Sequence, residues 1–129
     1  MATGFPASTG DVLTAPMFNE LVQFTINTQS GTTYTLAASD QYQVLILTSN
    51  ASTKTVSIPT DATTNFGIGT AVTIINTGAG LLTINAVTPG TTTITSAGAT
   101  SASPTLTQHK AATCIKTAAN TWRVVGAIA

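Results

Sequence analysis

Charge is what this sequence has least of. Asp, Glu, Lys and Arg make up 6% of its 129 residues, against about 25% in a typical globular chain. The four acids (Asp11, Glu20, Asp40, Asp61) balance the four bases (Lys54, Lys110, Lys116, Arg123). With no basic stripe to neutralise phosphates, nucleic-acid binding is disfavoured. A single histidine, His109, builds no histidine metal site and reads as a solvated residue at a strand end. A single cysteine, Cys114, forms no intrachain disulfide or zinc site, and reads as a small buried hydrophobe. No two carboxylates are close in sequence, and no G-x-S-x-G nucleophile elbow is present. Gly67 and Gly69 lack the spacing and the following helix of a phosphate loop. The expectation is a protein without enzymatic activity, cofactor or metal. No apolar run reaches the ~20 residues of a membrane span. The amino terminus lacks the charged and apolar regions of a signal peptide, so synthesis and retention in a cytoplasm are expected. Asn50-Ala-Ser52 therefore reads as a loop and not as a glycosylation site.

In place of charge stands threonine, with serine and alanine behind it. Threonine is β-branched, fits a pleated strand and solvates a surface without charge. That composition predicts an all-β fold. Zero net charge and a positive mean hydropathy suit a subunit held in an assembly better than a free monomer. The length gives one domain able to bury roughly two thirds of its unfolded surface.

Residues 1–30 are expected to form an N-terminal arm and a short helix that dock on a partner, and residues 31–129 a β-sandwich domain. Met1 to Gly10 is small, polar and turn-rich, with Phe5 as its anchor. Thr14 to Leu21 reads as the one helix: Thr14 caps, Pro16 stands in the first turn, and Leu13, Met17, Leu21 and Phe18 gather on one side. Strands follow at Val22–Ile26, Thr33–Ala38, Gln43–Thr48, Lys54–Ile58, Thr91–Thr95, Thr105–Gln108, Ala111–Thr117 and Thr121–Val125, divided by turn-rich segments. Pro59 ends one strand, Phe66 and Ile68 are expected to cover an end of the core, and Trp122 to lie in it. No repeat of 20–50 residues argues for a solenoid. Ten or so short strands with turns between them predict an antiparallel, jelly-roll-like sandwich.

The segment Ala71–Asn85 carries two apolar, β-branched runs around Gly78 and Gly80, which reads as a hairpin. Burial selects a register with Ile74 opposite Leu82, Val72 opposite Ile84 and Thr73 opposite Thr83. One face is then wholly apolar. The other mixes the two threonines with Ile75 and Leu81, and is expected to meet another subunit.

The succession Tyr34-Thr-Leu36, Thr55-Val-Ser-Ile-Pro59, Phe66-Gly-Ile-Gly-Thr70, Val72-Thr-Ile-Ile-Asn-Thr-Gly-Ala-Gly80, Thr95-Ser-Ala-Gly98, Ala112-Thr-Cys-Ile-Lys116 and Asn120-Thr-Trp-Arg-Val-Val-Gly126 resembles a β-module of tailed-bacteriophage structural proteins. It is similar to head decoration (cement) proteins, head fibres and tail-fibre modules. Gly10 to Asn19 resembles an N-terminal element of such proteins, with Pro16 where alanine is common. The resemblance implies a homotrimeric, non-enzymatic subunit on the virion surface. Because the chain has no room for a long shaft, the expected role is a decoration protein that contacts the major capsid protein and stabilises the head. On that reading Phe5, Leu13, Met17 and Phe18 form the capsid interface and Ile75 and Leu81 the trimer interface. A head-fibre or tail-fibre module binding a host receptor or glycan is the alternative.

Overall fold

A computed structural model describes Ala15 and residues 23–129. Most of the expected arm and helix, with Phe5, Leu13, Met17 and Phe18, lies outside the described residues; Ala15 is helical and exposed. The described chain is all-β. Its ten strands are β1 (Thr25–Gln29), β2 (Thr33–Thr35), β3 (Val44–Thr48), β4 (Lys54–Ile58), β5 (Ala71–Asn76), β6 (Leu82–Ala86), β7 (Thr93–Ser96), β8 (Thr105–Leu106), β9 (Ala111–Ala118) and β10 (Thr121–Gly126), with one 3₁₀ turn at Ala38–Gln41. β1 is a strand of the two-sheet unit and not part of a separate arm. No helix among the described residues is long and apolar enough to cross a membrane.

Strand positions follow the alternating pattern closely; strand pairing does not. The chain swings between two sheets, one ordered β1-β3-β5-β9-β10-β7 and the other β2-β4-β6-β8. Five of the eight pairings are parallel and three antiparallel, which corrects the expectation of antiparallel, jelly-roll-like pairing. β1 to β6 wind as three coils, each laid on the one before. Partners lie nineteen positions (Thr25 with Val44) to twenty-eight positions (Leu45 with Thr73) apart. This is a spatial repeat without a sequence repeat, because the coils differ in length. The β9–β10 hairpin then inserts between β5 and β7 and completes the larger sheet.

The expected hairpin at 71–86 is an arch. β5 bonds to β3 and β9, while β6 bonds to β4 and β8 in the other sheet. The inward set is the expected one: Val72, Ile74, Leu82 and Ile84 are all fully buried. That set is the same whether two strands lie side by side or face each other across a core, so alternation alone does not separate hairpin from arch. The turn does. A Cβ on Gly78 would strike the carbonyl of Asn50, and one on Gly80 the carbonyl of Ser52. The glycines let the turn of one coil rest on the turn of the previous coil.

The core between the sheets joins Val44, Ile46, Val72, Ile74, Cys114, Trp122 and Val124 to Val56, Ile58, Leu82, Ile84 and Leu106. Phe66 meets Trp122 edge to face at 5.5 Å and closes one end of the core, as expected. Ile68 does not share that role and stands in solvent.

Candidate interaction faces

With the core positions turned inward, the alternate residues of each strand compose two outer faces, and these differ in chemistry. On the six-stranded sheet, strand registry draws one row through Ile26, Leu45, Thr73, Thr113 and Val125. A second runs through Thr28, Leu47, Ile75 and Ala111, and a third through Ala71, Ile115, Arg123 and Thr95. Arg123 is the one charge in these rows. The two central threonines satisfy each other, Thr73 Oγ1 lying 2.9 Å from Thr113 Oγ1. Ile26 and Val125, each about half exposed, stand at opposite ends of the first row.

The four-stranded sheet presents Thr33, Thr55, Thr83 and Thr105 in one row and Thr35, Ser57 and Asn85 in the next. Every position is polar and uncharged. The Ser57 hydroxyl donates to Asn85 Oδ1 at 2.7 Å, so part of this ladder is satisfied within the sheet.

The ends of the strands are closed by buried polar groups. Lys54 is buried; its ammonium donates to the carbonyls of Asn50 (2.6 Å) and Gly80 (2.9 Å), and burial lowers its pKa. Asn76, fully buried, donates through Nδ2 to the carbonyls of Gly80 and Leu106 and accepts from the Gly78 N–H. Where the first coil opens, the Tyr34 hydroxyl donates to Asp40 Oδ2 at 2.6 Å, and Asn27 Nδ2 donates to Asp40 Oδ1 at 2.9 Å. Burial, with the hydrogen bond to Asp40, pushes the Tyr34 hydroxyl up to about 12. At another end Lys116 meets Asp61, whose carboxyl the lysine's hydrogen bond holds below its ordinary value.

None of these groups forms a reacting constellation with a histidine or a cysteine. Burial pushes the Cys114 thiol up to about 12, so it stays protonated and inert. His109 is exposed, with a positive φ of 69°. Among the described residues no group of three or more His, Cys, Asp or Glu could hold a metal ion.

The two residues expected at a subunit contact separate. Ile75 is half-buried in an end row of the six-stranded outer face, between Leu47 and Ala111. Leu81, exposed, sits in the arch turn ahead of β6, on the way to the other sheet. Once the hairpin is an arch, its second face becomes two faces on opposite sides of the molecule. Leu47 is the registered apolar neighbour of Ile75, and Leu45, Ile115, Ile26 and Val125 share the same outer face; none of them was singled out from the sequence as a contact residue. A signal was there: Val44-Leu45-Ile46-Leu47 is a continuous apolar run, the pattern of a strand covered on both sides. Comparison with family models, with curated proteins and with solved structures found no match.

Proposed function

We propose that the chain is a non-enzymatic structural subunit of a bacteriophage virion, a decoration protein that forms trimers on the head and braces it. The observation that carries this reading is the apolar outer face of the six-stranded sheet. Six aliphatic side chains and a single charge lie in registered rows on one side, while the opposite side is a solvated threonine ladder. Contiguous exposed apolar patches mark interaction sites, and chains with so little charge repel one another weakly. We assign the subunit contact to this face, around Ile75 and Leu47, and the capsid contact to residues 1–22. The two facing sheets then act as a β-sandwich, a rigid body with one sticky and one wetted side. Burial at roughly 25 cal/mol per Å² supplies the adhesion, and several arms per trimer add avidity.

A receptor- or glycan-binding fibre module is the weaker reading. Sugar sites favour exposed aromatic rings for stacking; among the described residues Trp122 and Phe66 are buried, Tyr34 and Tyr42 are half-buried, and Phe24 alone stands exposed. Co-sedimentation of the purified chain with heads of the phage that encodes it tests the proposal. Binding by the full chain and its loss on removal of residues 1–22 are expected. Failure of the full chain to bind would overturn the decoration role.

A further inference from the structure

The two buried lysines differ in what surrounds them. Among the described residues Lys54 meets only backbone carbonyls. The Lys116 ammonium, on a residue 1% exposed, lies 2.8 Å from Asp61 Oδ1, 3.1 Å from Asn65 Oδ1 and 2.7 Å from the Phe66 carbonyl. Beside it are aromatic walls: Trp122 is its cross-strand partner and packs on Phe66. Asp61 is held in place from its other side. Its Oδ2 accepts from the Asn120 N–H at 3.0 Å, and its own N–H donates to Asn120 Oδ1 at 2.9 Å. Asn65 contrasts with both. It is exposed, and among the described residues its side chain makes no hydrogen bond other than the one its carbonyl oxygen accepts from Lys116.

An amine, a carboxylate and a carboxamide carbonyl are thus convergent at the edge of an apolar core. From these positions we propose that Lys116 and Asn65 become joined by an isopeptide bond, with Asp61 carrying the proton. The Asn65 carbonyl carbon lies one C=O bond beyond an oxygen already in contact with the amine, and a rotation of the carboxamide is what turns that contact into an attack on the carbon. Asp61 takes a proton from the ammonium, and the freed lone pair of Nζ attacks Cγ of Asn65. The C–N bond to the side-chain nitrogen then breaks. That nitrogen takes up the proton held by Asp61 and one released by Nζ, and leaves as ammonium through the exposed side of Asn65, with Asp61 a carboxylate again. One C–N bond forms and one breaks, and no oxidant or cofactor is consumed. The ion pair dominates at rest, but the step occurs once per chain and needs no turnover.

The bond would staple the loop between β4 and β5 to β9, closing a link between positions 51 apart. It rests on the geometry of these three side chains and not on the proposed virion role.

Intact-mass measurement of the purified full chain, followed by peptide sequencing, tests it. The native chain should be lighter than its sequence by one ammonia and should yield a branched peptide linking Asn65 to Lys116. Asn65→Ala, at an exposed position, should fold with an unchanged circular dichroism spectrum, keep its full mass and melt at a lower temperature. Asp61→Asn should also keep its full mass. A native chain at full mass after prolonged incubation would overturn the proposal. So would an ammonia deficit that persists in Asn65→Ala, or one without the branched peptide. A branched peptide in Asp61→Asn would remove Asp61 from the reaction.

Discussion

The two outer faces are built from the same strand geometry, yet one sets six aliphatic side chains among its threonines and the other is polar at every position. Leu45, Leu47, Ile75 and Ile115 occupy on the six-stranded sheet the outward positions that Thr55, Ser57, Thr83 and Asn85 occupy on the four-stranded sheet. Folding alone requires no such difference, since the inward sets Val44, Ile46, Val72, Ile74 and Val56, Ile58, Leu82, Ile84 already fill the core. An outward aliphatic row contributes little to a monomer's stability and favours association. On the proposed reading, the asymmetry marks the side that meets a partner.

The severest way to break the comparison is to unstack the coils that hold both sets of rows in register. Gly78→Ala forces a methyl onto the Asn50 carbonyl. It should cost about 3 kcal/mol, the upper range for overpacking, read as a lower denaturant midpoint. Next in size, Ile75→Asp places a carboxylate in the aliphatic rows while leaving the core intact. Association should weaken roughly 100-fold, about 3 kcal/mol, with little change in the unfolding midpoint of the separated subunit.

Acid separates folding from association. No row of either face contains a carboxylate, whereas Asp61 clamps the loop before β5. In the Asn65→Ala chain, where Lys116 stays an ammonium, the lysine's hydrogen bond depresses the Asp61 pKa below 3.8. Its stabilisation is therefore present above that value and lost as pH falls through the depressed folded pKa. Thermal midpoints should drop below pH 3.8, and Asp61→Asn in the same background should flatten that drop. The smallest effect belongs to the hydroxyl ladder. Thr83→Asp, the counterpart of Ile75→Asp, should leave association unchanged and cost under about 1 kcal/mol in unfolding experiments.

Much of this was legible in the sequence. The boundaries of β4 and the positions of β3, β5, β9 and β10 follow from alternation, as do the burial of Trp122 and Cys114. Pairing was not legible, because alternation fixes which side chains point inward and not which strand lies alongside. Val72 and Ile84 meet across a core as readily as along a hairpin. The aliphatic face was hidden for the same reason, since its rows exist only once β1, β3, β5, β9 and β10 are set side by side. The Lys116–Asp61–Asn65 cluster brings together residues as much as 55 positions apart, and a lysine that alternates inward at the end of an apolar strand was its only trace.

Light scattering on the full chain at micromolar concentration tests the central claim most directly. Association through the six-stranded face predicts a particle of three chains. A monomer at that concentration would contradict the account and leave the aliphatic rows without a role.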